Sequence, residues 1–240
     1  MEKNIRVGIG ICTCNRVDKL KNLLSTIQKT KCFGDLFVAD DGSKDGTIDF
    51  LKSTGVEYVT GVQKGVAINK NKIIYRFQDY DFIFIVEDDL IIKSKGWISH
   101  YIKTSQLFGL NYMGFCPGSR YGNINVEDKK EDCVIQTRQY DGDLLRVLTK
   151  KVVRVCGGYN PLFRGSGWAH DEFLNRVDKA ELNGKYKNPV HIKSAESFMV
   201  YKISPSTTRI KNQVLQEKLN RQYWEQMKKT DIVYCPFDAF

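Results

Sequence analysis

The stretch IFIVEDDLII, residues 83–92, joins a buried apolar run to three consecutive carboxylates, Glu87, Asp88 and Asp89. Four apolar residues in succession predict a strand that is covered on both faces. Three like charges at the end of such a strand repel one another, so they cost stability unless a cation or a set of donors compensates them. Mg²⁺ or Mn²⁺ would do so, because these ions prefer carboxylate oxygens together with the phosphates of a nucleotide. The stretch therefore predicts a strand end that needs a cationic partner.

The residues on either side of this stretch alternate between strand and helix patterns. Strands are predicted at 5–12, 36–40, 56–61 and 81–87, and helices at 20–27, 47–53 and 66–77 lie between them. Strands that are joined through helices pair in parallel with right-handed crossovers. We therefore expect an α/β fold whose mostly parallel central sheet is flanked by helices.

The second half of the chain has a different pattern. Short β-like stretches are predicted at 112–116, 133–140 and 151–156, with a polar loop at 119–132. A helix at about 170–182, strands at 190–194 and 197–203, and a basic helix at about 210–229 follow. No linker separates the halves, so we expect one domain over 1–240, with halves at about 1–110 and 111–240 and mixed β structure in the second.

The composition excludes several classes of protein. Of the 240 residues 42% are hydrophobic, and the seven cysteines include no CxxC pair, which disfavours a disulfide framework or a zinc knuckle. The net charge of +9 is spread along the chain, which is typical of a solvated surface and predicts no nucleic-acid partner. No apolar run approaches the roughly 20 residues of a membrane span, and the first residues lack a signal-peptide pattern. We expect a cytoplasmic protein, and the basic C-terminal helix leaves contact with a membrane surface open.

Three polar signals follow three of the predicted strands: CTCNR at 12–16, ADDGSKDG at 39–46 and EDD at 87–89. Taken alone, these are explained by a helix cap, a turn and a solvated strand end. In open parallel sheets, however, ligands bind at the carboxyl ends of the strands, where the loops converge. Their joint position therefore predicts one shared cleft.

Four segments together resemble the nucleotide-binding half of the family 2 glycosyltransferases with the GT-A fold. They are ICTCNR (11–16), VADDGSKDGT (38–47), KGVAINKNK (64–72) and FIVEDDL (84–90), in this order. The resemblance covers about residues 5–100. It implies a metal-dependent, inverting transfer of a hexose or deoxyhexose from a nucleotide diphosphate sugar, with UDP as the first choice of carrier. The acceptor would be a hydroxyl of a glycan, a protein or a lipid-linked saccharide.

The same resemblance implies roles for individual residues. Nucleotide or donor contacts would come from Thr13, Asn15, Arg16, Asp40, Asp41, Lys64, Asn69 and Asp88. EDD is similar to the DxD element of the family, in which Asp89, together with Glu87, would hold Mn²⁺ or Mg²⁺; Glu87 stands where the family has its first Asp. His191 is a further candidate metal ligand, although a lone His at the start of a strand is more often structural.

A second group of functional candidates lies in GGYNPLFRGSGWAHDEFLNRV, residues 157–177. Trp168 offers an apolar face of the kind that stacks on sugar rings, although a core Trp is equally compatible. Asp171 and Glu172 then open a helix and resemble the acidic pair on the acceptor side of the family. Either would serve as the general base, with Asp171 the first choice, but acidic residues also stabilise a helix N-terminus.

Three other functions fit parts of the pattern. A sugar-1-phosphate nucleotidyltransferase shares the sheet and the acidic metal site, but CTCNRVDK lacks the glycine-rich loop that such enzymes usually carry. A non-catalytic carbohydrate- or nucleic-acid-binding module would use the positive charge and the aromatic residues. A dinucleotide dehydrogenase is disfavoured because GIGICT lacks the third glycine of its motif.

Overall fold

The computed structural model describes residues 5–115, 117, 123–138, 144–165, 167–187, 189–201 and 213–237. The strands are β1 Val7–Thr13, β2 Asp35–Asp40, β3 Glu57–Val59, β4 Phe82–Glu87, β5 Leu90–Ile92, β6 Tyr112–Phe115, β7 Ile124–Lys130, β8 Cys133–Arg138, β9 Leu145–Thr149, β10 Val190–Ile192 and β11 Met199–Tyr201. The helices are α1 Val17–Lys29, α2 Thr47–Thr54, α3 Val66–Phe77, α4 Trp97–Phe108, α5 Lys150–Cys156, α6 Ala169–Lys179 and α7 Gln213–Met227, and a 3₁₀-helix spans Lys193–Ser197.

One nine-stranded sheet runs through both halves in the order β3-β2-β1-β4-β9-β6-β10-β8-β7. The first four strands are parallel, as the strand–helix alternation predicts. Strand β9 is antiparallel to both β4 and β6, and β7 and β8 pair as an antiparallel hairpin, so the second half is mixed. The predicted fold class is confirmed.

Strand β4 is covered on both faces, which explains its uninterrupted apolar sequence. Phe84 and Val86 belong to the core beneath α1 and α4, whereas Ile83 and Ile85 belong to the core beneath α3 and α6. Helix α3 packs directly on the neighbouring strand β1, because a Cβ at Gly10 would lie 2.1 Å from the Ile73 side chain. Glycine in GIGIC therefore provides close helix–sheet packing.

Several predictions for the second half are wrong. The segment 151–156, predicted as a strand, belongs to α5, and the polar segment predicted as a loop contains β7; its residues 119–122 lie outside the described part. Val152, Val153 and Cys156 are the buried residues of α5, a spacing that also fits a helix face. Strand β7 is exposed on most of its length, so it carries no apolar signal.

A neighbouring loop, and not a capping side chain, holds the N-terminus of α1. The capping position is Arg16, which makes no side-chain cap hydrogen bond. The Val17 amide instead donates to Asp45 Oδ2 at 2.9 Å. A carboxylate from the loop after β2 therefore accepts a hydrogen bond from the first backbone amide of α1. This contact joins the two loops that flank the cleft. None of the described helices is both long and apolar enough to cross a membrane.

Candidate active site

A cleft with two adjoining pockets lies at the carboxyl ends of β1, β2 and β4. The first pocket is lined by Cys12, Thr13, Cys14, Arg16, Asp41, Gln63, Gly65, Val66, Asn69, Glu87, Asp88, Gly165 and Gln213. The second pocket is lined by Arg16, Val66, Lys70, Glu87, Asp89, Leu144, Tyr159, Gly165, Gly167, Trp168, Ala169, His170 and Asp171. The three strand-end signals therefore meet in one cleft, as predicted, and the segment 157–177 contributes to the same cleft.

Gly65 and Gly165 join the two halves of the chain at this cleft. They form an isolated parallel bridge in which the Val66 amide donates to the Gly165 carbonyl at 3.2 Å. A Cβ at Gly65 would lie 2.4 Å from the Gly165 nitrogen, and the φ of Gly65 is +100°. Only glycine fits this position, so the shared boundary of the pockets depends on it.

Cations of the chain itself surround the acidic triplet. Arg16 Nη1 lies 2.9 Å from Asp88 Oδ1 and 3.6 Å from Asp89 Oδ2, and Lys19 Nζ lies 3.9 Å from Asp89 Oδ2. Lys70 Nζ lies 3.2 Å from Glu87 Oε1 and is 1% exposed. The expectation that the triplet needs a cationic partner holds, but arginine and lysine side chains already supply part of the compensation.

Asp88 is the most buried member of the triplet. Burial raises the pKa of this carboxyl, while the nearby Arg16 guanidinium and the Thr13 hydroxyl act in the opposite direction. Thr13 Oγ1 donates to Asp88 Oδ2 at 2.8 Å, so both carboxylate oxygens have partners. Asp88 therefore fixes Thr13 and Arg16 at the floor of the first pocket.

Asp89 has the features of a metal ligand. Its Oδ1 is buried and has no hydrogen-bond partner among the described residues, and Asp89 lines the second pocket. An unpartnered carboxylate oxygen beside a second carboxylate, Glu87, fits a hard cation such as Mn²⁺ or Mg²⁺. His191 lies elsewhere: it is buried on β10, pairs with Gly114 and Gln136, and lines neither pocket.

Asp40 and Asp41 occupy different positions in the loop after β2. Asp40 is fully buried and accepts hydrogen bonds from the Gly42 and Ser43 amides, both at 3.0 Å, and from Thr60 Oγ1 at 2.6 Å. Asp41 lines the first pocket and accepts from the Lys64 amide at 2.8 Å and the Gly65 amide at 2.9 Å. Asp40 therefore shapes the loop, while Asp41 connects it to the start of α3.

The remaining candidates for nucleotide contacts surround this loop. Asn15 Oδ1 accepts from the Lys44 amide at 2.7 Å, and Asn15 lines neither pocket. Asn69 lines the first pocket and its Nδ2 donates to the Ala39 carbonyl at 2.8 Å. The Lys64 side chain is exposed beside Arg164 at the rim.

The acceptor-side segment places Trp168 and Asp171 at the second pocket. Trp168 has a φ of +65° immediately before α6, and Asp171 is exposed in the first turn of that helix. Glu172, 2% exposed, forms a buried ion pair with Arg176. Of the two candidate bases, Asp171 is therefore the one that faces the cleft.

Sequence reasoning missed an arginine beneath the second pocket. Arg146 is 1% exposed in β9, and its Nε donates to His170 Nε2 at 3.0 Å. Its guanidinium fits because the neighbouring strand carries Gly114, where a Cβ would lie 2.1 Å from Arg146 Nη1. The available signal was an arginine inside the apolar run LLRVL (144–148), since a buried charge needs a specific partner.

The strand order, with the cleft at the carboxyl ends of β1, β2 and β4, corresponds to the GT-A class of fold. The glycosyl transferase family 2 model matches residues 9–167, about two thirds of the chain. The protein therefore belongs to glycosyltransferase family 2, as the sequence resemblance indicated. No curated protein sequence matches it.

Solved structures with low identity share the fold. Glucosyl-3-phosphoglycerate synthase from Mycobacterium tuberculosis, in complex with Mn²⁺, UDP and glucosyl-3-phosphoglycerate, has 11% identity and a TM-score of 0.60 over 93% of this chain and 78% of that one. The mannosyltransferase PcManGT from Pyrobaculum calidifontis, in complex with GDP-Man and Mn²⁺, has 13% identity and a TM-score of 0.55 over 75% of this chain.

GalNAc-T7 with UDP, GalNAc and Mn²⁺ has 10% identity and a TM-score of 0.59 over 73% of this chain. The matched regions span 53% of the mannosyltransferase and 42% of GalNAc-T7. At these identities the similarity establishes the fold.

Proposed function

We propose that this protein transfers a sugar from a nucleotide diphosphate sugar, with UDP as the first choice of carrier, to an acceptor hydroxyl with inversion at the anomeric carbon. The observation that carries the proposal is the second pocket, whose lining includes Arg16 and Asp89, with its unpartnered Oδ1, from the first half of the chain and Asp171 from the second half. This pocket brings together side chains that could bind the nucleotide sugar and a carboxylate that could act as the general base.

The first pocket would hold the nucleotide. Asp41 and Asn69 offer polar atoms to the base or ribose, and Thr13 lies at the floor. Asn15 and Asp40 would act through the loops that they hold in place. Lys64, at the exposed rim, would contact the donor only after moving towards it.

Arg16 and Lys19 would meet the diphosphate. Arg16 Nε and Lys19 Nζ have no hydrogen-bond partner among the described residues, although both lie close to the acidic triplet. A diphosphate offers both cations strong acceptors. We infer that they exchange part of their contact with the carboxylates for contact with the donor.

Asp89, with Glu87 as the neighbouring carboxylate, would hold Mn²⁺ or Mg²⁺. When bound, such an ion stabilises negative charge on the departing diphosphate. Lys70 stays beside Glu87 at 3.2 Å, so Asp89 is the principal protein ligand in this proposal. We propose no metal contact for His191, because it lines neither pocket.

Asp171 would act as the general base. It would take the proton of the acceptor hydroxyl while that oxygen bonds to the anomeric carbon and the bond from this carbon to the diphosphate breaks. Glu172 is committed to Arg176, so the first turn of α6 directs one carboxylate to the cleft. One general base on the acceptor side suits a single displacement, which inverts the configuration at the anomeric carbon. Trp168 would provide an apolar face for the sugar or the acceptor.

The direct test is release of nucleoside diphosphate from a panel of UDP- and GDP-sugars with Mn²⁺ and mixed glycan acceptors. We expect turnover with at least one donor, with a loss of about 100-fold or more in Asp89→Asn and Asp171→Asn. Asp18→Asn is the matched control, because the Asp18 side chain is 95% exposed on α1 and lines neither pocket. Full activity of Asp171→Asn would exclude its role as base, and pyrophosphate release from a nucleoside triphosphate would indicate a nucleotidyltransferase instead.

A further inference from the structure

A second group of potential metal ligands lies away from the cleft. His100 on α4, Asp132 in the turn between β7 and β8, and Cys133 at the start of β8 each place one donor atom within 4.8 Å of the other two. None of the three lines either pocket of the cleft. We call this group the His100 cluster.

The turn between β7 and β8 places Asp132 beside His100. Glu131 has a φ of +53°, which turns the chain sharply before β8. Lys103 Nζ lies 2.6 Å from Asp132 Oδ1 and 2.7 Å from Glu131 Oε2. Because Lys103 binds Oδ1, the other carboxylate oxygen faces His100, with 4.0 Å between Oδ2 and Nδ1.

The imidazole of His100 is held from its other side. Nε2 lies 2.7 Å from Ser194 Oγ, and the ring packs against Phe198 with 5.0 Å between centroids. A contact to the second ring nitrogen is how proteins orient metal-binding histidines. This contact leaves Nδ1, which lies 4.0 Å from Asp132 Oδ2, as the ring nitrogen that can act as a ligand.

We propose that the His100 cluster binds one transition-metal ion of the Zn²⁺ class through His100 Nδ1, Asp132 Oδ2 and Cys133 Sγ. Nitrogen, sulfur and oxygen donors together suit Zn²⁺ better than Mg²⁺ or Mn²⁺. Three protein ligands leave the fourth position of a tetrahedral site to water. Asp132 is 66% exposed in its side chain, so the carboxylate can move the short distance that closes the site.

Metal binding would release one proton from the thiol. Cys133 is a free, buried cysteine. Formation of the sulfur–metal bond would pass this proton to solvent. The bound ion would connect α4 to the β7–β8 hairpin. Its nitrogen, sulfur and oxygen ligands differ from the carboxylate ligands proposed for the ion at Asp89.

Cobalt substitution gives a readout that the Asp89 site cannot produce. Co²⁺ bound to a thiolate has a charge-transfer absorption in the near ultraviolet, whereas carboxylate ligation alone does not give it. Titration of the full chain with Co²⁺ should produce this band at one ion per chain, and Zn²⁺ should displace it. Circular dichroism checks that each variant is folded.

The variants are chosen to separate loss of the site from loss of the fold. Cys133→Ser should remove the band, and Asp132→Asn, at an exposed position, should weaken Co²⁺ binding by about tenfold or more. Cys14→Ser and Cys32→Ser, which change half-buried thiols elsewhere, should retain it. Absence of the band in the wild type at saturating Co²⁺, or its persistence in folded Cys133→Ser, would overturn the proposal.

Discussion

Arg176 and Glu172 form a two-point ion pair within α6, with Nε–Oε1 and Nη2–Oε2 distances of 2.8 Å. Both side chains are almost fully buried, and Arg176 Nη2 also donates to the Gly158 carbonyl at 2.7 Å. The pair therefore connects α6 to the segment that precedes it. It also separates two adjacent carboxylates into a buried anchor, Glu172, and a cleft residue, Asp171.

Glu172→Gln should destabilise the protein, because it leaves the Arg176 charge buried without its counter-ion. Removing one partner of a buried ion pair typically costs about 3–5 kcal/mol. Urea unfolding followed by circular dichroism measures this cost. Asp171→Asn is the matched control, and its free energy of unfolding should stay within about 0.5 kcal/mol of wild type because the side chain is exposed. Equal stability of the two variants would contradict the anchoring role of Glu172.

Arg16→Met should increase the affinity of the free protein for Mn²⁺. Arg16 Nη1 lies 3.6 Å from Asp89 Oδ2, so its charge opposes a cation at this carboxylate. A single positive charge and a doubly charged ion about 5 Å apart at an effective dielectric constant of about 20 repel by roughly 7 kcal/mol, so we expect an increase of about tenfold or more even after solvent screening. Calorimetric titration with Mn²⁺ measures it.

The same Arg16→Met variant should bind UDP more weakly, because it lacks a donor to the diphosphate. Lys29→Met is the control, since it removes a positive charge at the distant end of α1. Unchanged Mn²⁺ affinity together with unchanged UDP affinity would show that Arg16 does not exchange between carboxylates and diphosphate.

The first half of the fold follows from local sequence patterns, and the second does not. The predicted helix at 66–77 coincides with Val66–Phe77, because apolar residues recur on one face and Gly65 stops the helix from starting earlier. Strand β7 is an edge strand whose exposed residues show no alternation, so only its pairing with β8 defines it. Helix α4 was not predicted, although its buried Trp97 and Tyr101 carry the spacing of a helix face.

The candidate site, like the fold, could be predicted from the sequence only in part. Strand ends could be placed from the sequence, since parallel strands bring their carboxyl ends together. The partners of the buried cations could not be placed in this way, because Lys70 in α3 reaches Glu87 in β4, and Arg146 in β9 reaches His170 in α6. These contacts depend on the three-dimensional packing and leave no local signal.

Gly114→Ala should disturb the second pocket through Arg146. The new Cβ would lie 2.1 Å from Arg146 Nη1 and would push the guanidinium away from His170. Overpacking of this kind typically costs about 1–3 kcal/mol, measurable by urea unfolding. Gly61→Ala is the control, because a Cβ there meets nothing within 4 Å and its φ is not positive. If both substitutions are equally tolerated, Arg146 is not confined as the structure indicates.

Cys14, which lines the first pocket, should be a poor nucleophile at neutral pH. Burial, followed by the neighbouring Asp41, raises the pKa of its thiol from 9.0 to about 11. Only the thiolate reacts with iodoacetamide, so near pH 8 the thiolate population should be roughly 100-fold smaller than for an ordinary thiol. Peptide mapping by mass spectrometry after timed labelling measures the rate at this one cysteine.

The pH dependence of Cys14 also fixes the sign of its contribution to stability. Between pH 9 and about 11 the folded protein retains a thiol proton that the unfolded chain loses. The protonated thiol therefore contributes stability that is complete below pH 9 and is lost as the pH rises through about 11. Cys14→Ser should make the free energy of unfolding less dependent on pH in this window, because serine does not titrate there.

Labelling of Cys14 additionally reports occupation of the first pocket. UDP at saturating concentration should slow the reaction further, since the bound nucleotide would cover a thiol that lines the pocket. Urea-unfolded protein is the reference, in which the thiol should react with an ordinary pKa near 9. Labelling of the folded protein at pH 8 at the rate of the unfolded chain would show that Cys14 lies outside this acidic, partly buried environment. Slow labelling whose rate UDP leaves unchanged would place the nucleotide elsewhere.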